Sequence, residues 1–131
     1  MRHAVVSFVF VALLPNCAFG SADLIIEMDE FSYDPAELTV QPDRPVTVEV
    51  KNIGDVAHDI VITREVFELS SEALSAIIAK PEIVVGRTDR VAPGESERTT
   101  VTLDEPGVYQ YFCSVVGHFD PGMRGVVTVE P

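Results

Sequence analysis

Three side chains that bind soft metal ions stand at regular spacing near the end of the sequence. Cys113, His118 and Met123 follow one another at intervals of five residues. A thiolate, an imidazole and a thioether together suit copper better than magnesium or calcium, which prefer oxygen ligands. Zinc accepts Cys and His but gains little from Met. Because Gly117 and Gly122 suit tight turns, we expect a loop that turns all three side chains inward.

A second histidine completes the candidate metal site. A trigonal copper centre takes two histidines and a cysteine, and His58 is the only further histidine after residue 20. Taken singly, Cys113 reads as a buried core thiol, and His58 and Met123 read as ordinary core or surface residues. Taken together, the residue types and their spacing predict a metal site. Its ligands would be His58, Cys113, His118 and Met123.

The first twenty residues have the three-part pattern of a secretory signal peptide. A positive start at Arg2 precedes a largely apolar run of eleven residues, 4–14, and small residues lead up to a cut ahead of Ser21. A run of eleven residues is too short to span a bilayer, which takes about 20. We therefore expect residues 1–20 to be removed on export to the periplasm. Residues 21–131 would form one domain with no membrane span.

Cys17 leaves a second interpretation of this segment open. Residues 14–17 have the outline Leu-x-x-Cys of a lipoprotein signal, although Pro15 and Asn16 stand where such signals have small residues. A lipid on Cys17 would anchor the exported chain to a membrane surface. In the chain cut after residue 20, Cys113 is the only cysteine, so an internal disulfide is excluded and metal coordination or burial would protect the thiol.

The charge balance excludes one class of partner and favours another. The sequence has 9 Lys and Arg against 21 Asp and Glu, a net charge of −12, and loss of Arg2 takes the exported chain to −13. Such a chain repels phosphate backbones and anionic membrane surfaces, so nucleic acid is excluded as a partner. It attracts basic proteins by salt-sensitive steering, although many acidic surfaces only keep a protein in solution.

The exported chain has the pattern of an all-β protein. Seven or eight short strands with Pro- and Gly-containing turns between them indicate a β-sandwich or barrel. Residues 71–80 differ, because Leu74, Ile77 and Ile78 form an apolar stripe that predicts one short helix, packed on the sheet as a lid. The strand-like runs are 24–28, 31–33, 38–40, 46–51, 59–62, 82–85, 98–103, 108–113 and 125–129.

The loop and the strands around it resemble the cupredoxins, the blue copper proteins related to plastocyanin and azurin. The resemblance rests on the Cys-x4-His-x4-Met loop after an aromatic strand, on a final Val-rich strand, and on the order of residues 31–35, 46–52 and His58. The loop spacing is similar to that of auracyanin and rusticyanin. The resemblance implies a Greek-key β-sandwich with one helical insertion and one type 1 copper ion per chain.

The resemblance also implies a role for each ligand. Cys113, His58 and His118 would lie in a trigonal plane with Met123 as a weak axial ligand. Electrons would pass through the exposed edge of His118, and an apolar rim around that edge would contact partners. The rim would be formed by Ala57, Val116, Phe119 and Pro121.

Two residues depart from the pattern common in cupredoxins. Asp59 stands where many relatives have an Asn that ties the two ligand loops together. A carboxylate could make the same tie, and its charge would lower the reduction potential. Val115 stands where plastocyanin has a proline, so its backbone N–H could bond to the Cys113 sulfur and raise the potential. The two effects oppose, and the sequence predicts no net potential.

These observations predict an exported blue copper protein that carries single electrons between redox partners and is not itself an enzyme. A basic c-type cytochrome or a terminal oxidase or reductase would suit as partner, and we expect a monomer. Two alternatives remain open: a periplasmic copper-handling protein for resistance or delivery, and a copper-free interaction domain. A Cys–His nucleophile pair is disfavoured because the sequence shows no third orienting group.

Overall fold

The computed structural model of the protein describes residues 20–68 and 70–131. The predicted signal peptide lies outside these residues, apart from Gly20 at its end, and so does Cys17. Within the described ranges, no helix is long and apolar enough to cross a membrane.

Nine strands in the described part of the chain form two sheets, which confirms the predicted β-sandwich. They are β1 (Leu24–Asp29), β2 (Ser32–Asp34), β3 (Glu37–Val40), β4 (Pro45–Asn52), β5 (Val61–Thr63), β6 (Val84–Arg87), β7 (Ser96–Thr102), β8 (Gly107–Phe112) and β9 (Arg124–Val129). One sheet has the order β2-β1-β4-β7 and the other β3-β9-β8-β5-β6. Both sheets are mixed, because β1 pairs with β4 and β3 with β9 in parallel.

The nine strands are more than the seven or eight predicted, because all nine strand-like runs of the sequence form strands. These include β2 and β5, which have only three residues each. The predicted helix is confirmed as α1 (Ser71–Ile78) and ends two residues before the predicted boundary. It ends there because the chain tightens, with the Lys80 N–H donating to the carbonyl oxygen of Ile77, three residues earlier.

The main apolar core lies between the two sheets. In β4, Val46, Val48 and Val50 point inward and are buried, while the residues between them are only half-buried, as the two-residue period of a strand requires. Cys113 and Met123 belong to the same buried cluster. These two metal-binding candidates are therefore part of the packed interior of the sandwich.

A second apolar cluster packs helix α1 against the five-stranded sheet. Leu74 and Ile77 of the helix are buried in one cluster with Phe112 of β8 and Phe119 of the loop that follows it. The rings of Phe112 and Phe119 meet edge to face, with their centroids 5.8 Å apart. The helix is thus a lid on the sheet, as its apolar stripe predicted.

Asn52, the last residue of β4, ties down the segment that leads to His58. Its buried side chain donates from Nδ2 to the carbonyl oxygens of Val56 and Val91, both at 2.8 Å. Its Oδ1 accepts from the Gly54 N–H at 2.9 Å. Because Val91 also pairs through its backbone with His58, this one amide joins the strand end to the backbone of a candidate ligand.

We expect Asn52→Asp to lower the free energy of unfolding by about 3 kcal/mol at neutral pH. A carboxylate has no N–H for the two carbonyl oxygens and would face them with a buried charge. Urea unfolding of the metal-free protein measures the loss. It should shrink at acidic pH, where the carboxyl group is protonated and donates one hydrogen bond.

The same chemical change at an exposed position serves as the control. Gln41→Glu makes this change at the surface, where the amide donates to the Glu130 carboxylate. Because water screens the two like charges there, it should cost less than about 1 kcal/mol. Equal losses for the two variants would show that the hydrogen bonds of Asn52 do not hold this segment.

Candidate metal centre

The loop between β8 and β9 carries the three regularly spaced residues. Cys113 directly follows β8 and Met123 directly precedes β9. The Cys113 N–H donates to the Met123 carbonyl oxygen, and the Met123 N–H donates to that of His118, both at 3.1 Å. Gly117 and Gly122 have φ angles of 86° and 117°, which only glycine adopts without strain. These bonds and turns fix the three residues relative to one another.

His58 reaches the same end of the sandwich from the segment before β5. It lies outside that strand and forms an isolated two-residue bridge with Val91. The His58 N–H donates to the Val91 carbonyl oxygen at 3.2 Å, and the Val91 N–H donates back at 2.7 Å. The side chain of His58 is fully buried, so its ring has a fixed place in the interior.

Three donor atoms from these two segments converge. His58 Nδ1 lies 3.2 Å from His118 Nδ1, and Cys113 Sγ lies 4.0 Å from the first nitrogen and 3.6 Å from the second. Among the residues that the structure describes, no other group of three or more His, Cys, Asp or Glu side chains is placed to hold a metal ion. Burial and the nearby His58 ring lower the pKa of His118 and favour the neutral imidazole that binds metal.

The size of this triangle fits a copper ion. The point equidistant from the three donor atoms lies about 2.1 Å from each of them. Zinc, a divalent ion of similar size, keeps about 2.0–2.3 Å from imidazole nitrogen and thiolate sulfur. Two imidazoles and a thiolate in one plane, with a methionine nearby, form the donor set of a blue copper site.

Met123 comes to the site by its position in the fold. Its side chain is fully buried, in the core cluster that also contains Cys113. Its backbone forms hydrogen bonds with the backbones of Cys113 and His118. The structure therefore brings all four residues named from the sequence, His58 included, to one end of the sandwich.

The Cys113 sulfur is buried, and two backbone groups influence its ionisation. Burial raises the pKa of the thiol to about 11, and the backbone N–H groups of Asp59 and Val115 oppose this rise. A free N–H at Val115 is what the absence of a proline there led us to expect. An N–H group directed at a ligand sulfur withdraws electron density from it.

Asp59 ties the two ligand-bearing segments together, as the sequence led us to expect. Its Oδ1 accepts a hydrogen bond from the Ser114 N–H at 2.6 Å, and its Oδ2 accepts one from the Ser114 hydroxyl. The buried Tyr33 hydroxyl donates to the Asp59 carbonyl oxygen at 2.7 Å. Because Asp59 follows His58 and Ser114 follows Cys113, one carboxylate holds the two ligands side by side.

Two residues that the sequence analysis missed contact the histidines from the turn between β1 and β2. Glu30 Oε1 lies 3.2 Å from His58 Nε2, and the Phe31 ring meets the His118 ring edge to face, with centroids 5.0 Å apart. Desolvation opposes ionisation of Glu30, but hydrogen bonds from two backbone N–H groups and from His58 outweigh it and lower its pKa to about 2. The turn lacks the Gly or Asn that marks most two-residue hairpins, so no local signal announced it.

Large apolar side chains are exposed on the segments that carry the site. Val116 is 77% exposed, Ile53 58% and Phe31 41%. His118 lies beside Phe31 and is itself partly exposed. The solvent-facing edge of the candidate metal site is thus bordered by apolar surface.

One residue of the expected rim lies elsewhere. Phe119 is 1% exposed, because it packs into the second core cluster and stacks beneath the Arg124 guanidinium, 4.8 Å from the ring centroid. The expectation that Phe119 contacts partners is therefore wrong. Val116 and Pro121 are exposed and Ala57 is half-buried, so these three are accessible to a partner.

Comparison with known proteins gives a family match and relatives over most of the chain. Residues 21–130 match the family described as copper binding proteins, plastocyanin/azurin family. Auracyanin-A of Chloroflexus aurantiacus is 29% identical over 126 residues, 85% of this chain and 77% of that protein. The copper-resistant cuproprotein CopI of Rubrivivax gelatinosus is 27% identical over 107 residues, 81% of this chain, and the chain spans 64% of its length.

Solved structures show the same fold. The Na-dithionite reduced auracyanin of Roseiflexus castenholzii superposes with a TM-score of 0.73 and is 32% identical, over 85% of this chain and 98% of that one. Rusticyanin from Thiobacillus ferrooxidans superposes with a TM-score of 0.63 over 84% of this chain and 79% of its own. At 19% identity, rusticyanin shows the shared fold alone.

We expect Cys113 of the folded, metal-free protein to react slowly with iodoacetamide at neutral pH. A pKa of about 11 leaves roughly a hundredth of the thiolate that an exposed cysteine of pKa 9.0 provides, and only the thiolate reacts. Mass spectrometry of alkylation rates between pH 7 and 10 tests this, with the unfolded protein as control. Folded and unfolded rates that agree within tenfold would contradict the burial and the raised pKa.

Proposed function

The chain belongs to the plastocyanin/azurin family of copper-binding proteins, and on that premise we propose that it is an exported carrier of single electrons. The cupredoxin relationship predicted from the sequence is confirmed, and copper is the cofactor. The proposed ligands are His58, Cys113, His118 and Met123. Bound copper supplies a one-electron couple between Cu(I) and Cu(II).

The convergence of Cys113 Sγ with the Nδ1 atoms of His58 and His118 is the observation that carries this proposal. The three atoms stand 3.2–4.0 Å apart, and backbone hydrogen bonds and the Asp59 carboxylate hold their segments. Close-packed interiors resist displacement of their side chains. A site held in this way keeps one geometry in both oxidation states, so little rearrangement opposes electron transfer.

His118 is the proposed point of electron entry and exit. It is partly exposed, whereas His58, Cys113 and Met123 are fully buried. The exposed Val116 lies on the same loop, and Phe31 contacts the His118 ring. An apolar surface of this kind loses its water readily and brings a partner's redox centre close to the ring.

The charge of the chain favours a basic partner. The net charge of −12 becomes −13 for residues 21–131 once Arg2 is removed. A c-type cytochrome, or a terminal oxidase or reductase with a basic docking surface, has the complementary charge. Steering of this kind speeds association at low ionic strength and weakens as salt is added.

A copper-handling role is the second candidate, and one relative supports it. CopI, at 27% identity, is named as a copper-resistant cuproprotein. The burial of three of the four proposed ligands favours the carrier instead, because a delivery protein must release its metal to a recipient. The same burial supports a protein that serves oxidoreductases without being an enzyme, since a substrate would find only the edge of His118.

We expect residues 21–131 with added Cu(II) to show an intense visible charge-transfer band from a thiolate–copper bond. Cys113→Ser removes the thiolate and should abolish the band while the far-ultraviolet circular dichroism stays unchanged. Absorption spectroscopy with one equivalent of copper makes the measurement. Absence of stoichiometric binding by the unaltered chain would contradict the proposal.

The same samples separate the carrier from the copper-handling protein. In a carrier, the bound copper is reduced and reoxidised reversibly. The carrier exchanges electrons rapidly with a basic c-type cytochrome, and the rate of this exchange falls as salt is added. Copper bound without the band, or passed quickly to a chelator, supports copper handling instead.

Export is part of the proposal and has its own test. Strand β1 begins at Leu24, so a cut ahead of Ser21 would leave every strand intact. We expect the periplasmic protein, measured by intact mass, to begin at Ser21, and Cys17→Ser to leave export unchanged. A lipid-bearing N-terminus at Cys17 would contradict the predicted cut and support the lipoprotein interpretation.

A further inference from the structure

We propose that Glu30 is a positioning residue that orients His58 and lowers the reduction potential of copper at this site. The inference rests on the proposed function, because it concerns the same copper ion. Nothing in the motif of the β8–β9 loop points to Glu30, which lies 28 residues before His58 in the sequence.

The first step is the contact itself. His58 Nδ1 faces the donor atoms of Cys113 and His118, which leaves Nε2 to carry the proton and donate it. Glu30 Oε1 lies 3.2 Å from that nitrogen. A carboxylate that accepts the second N–H of a metal-binding histidine fixes the tautomer and the orientation of the ring.

The second step is that Glu30 is itself held in place. The same Oε1 atom accepts hydrogen bonds from the N–H groups of Asp55 at 2.8 Å and Val56 at 3.1 Å. Gly54 leaves room for it, because a Cβ at that position would stand only 2.3 Å from Glu30 Oε1. The carboxylate therefore sits in a site shaped by the segment that leads to His58.

The third step is the strained turn that carries Glu30. Asp29 and Ser32 pair across the hairpin, so Glu30 and Phe31 form a two-residue turn. Phe31 has φ of 61°, a conformation that an aromatic residue rarely adopts. Strain of this kind persists where the surroundings require it. Here the Phe31 ring packs on the His118 ring.

The consequence follows from charge. An anionic acceptor makes the His58 imidazole a stronger electron donor than a neutral acceptor would. Stronger donation stabilises Cu(II) more than Cu(I) and so lowers the potential. The backbone N–H groups of Asp59 and Val115, which favour the Cys113 thiolate, act in the opposite direction.

Glu30→Gln tests the charge while keeping the shape. The amide oxygen can still accept from His58, but the negative charge is gone. We expect the preference for Cu(II) over Cu(I) to fall about tenfold, which is a rise of 59 mV for a one-electron couple. Glu27→Gln is the matched control, because it removes the same charge from an exposed position on β1 and should shift the potential far less.

A second readout follows the hydrogen bond without using electron transfer. In the diamagnetic Cu(I) protein, the His58 Nε2 proton should exchange slowly with water, as measured by nuclear magnetic resonance. Exchange should stay slow in Glu30→Gln and become fast in Glu30→Ala. Gly54→Ala pushes the Glu30 carboxylate away from His58 without altering a proposed ligand, so it should raise the potential while circular dichroism shows an intact fold.

The outcomes separate this inference from the proposed function. In one outcome the wild type is blue, while Glu30→Gln and Gly54→Ala shift the potential no more than Glu27→Gln does. That result overturns the role of Glu30 and leaves the proposed function standing. Fast exchange of the His58 proton in the wild type overturns the role of Glu30 too. Should Glu30→Gln fail to fold, the potential of Gly54→Ala decides the role of Glu30 in its place. A wild-type chain without the blue band overturns the proposed function first.

Discussion

The convergence of three lone pairs on one buried point is the constraint on which the rest of this structure depends. Two imidazole nitrogens and a sulfur stand 3.2–4.0 Å apart, and without a cation their lone pairs repel one another wherever no shared proton lies between them. The frame around them offsets this cost. Backbone bonds between Cys113, Met123 and His118, the pairing of His58 with Val91, and the Asp59 carboxylate keep the donors from separating.

The same frame sets opposing electronic influences on the metal. Backbone N–H groups of Asp59 and Val115 withdraw density from the Cys113 sulfur, while the carboxylates of Asp59 and Glu30 add negative charge beside the two ligand segments. Amide donors favour Cu(I) and carboxylates favour Cu(II). The potential of a metal held here is therefore a balance among groups outside the donor set.

Burial divides the site into an inner part and an outer edge. His58, Cys113 and Met123 are closed off inside the sandwich, and His118 alone of the four reaches solvent, beside Phe31. The lid formed by helix α1 and Phe119 stabilises the five-stranded sheet away from that edge. Such a division lets a partner approach the metal through one ring without disturbing the packed interior.

The sequence by itself determined the ligand types, the spacing of the loop and the alternation of the strands, because these depend on neighbours within a few residues. Through the family resemblance it also predicted the tie by Asp59. Only the tertiary structure decided that Phe119 is buried and that Glu30 meets His58. Both depend on contacts between segments far apart in the chain, which local sequence patterns do not predict. The turn at Phe31 also has a positive φ at a residue that is not glycine, so no local signal in the sequence indicates the turn.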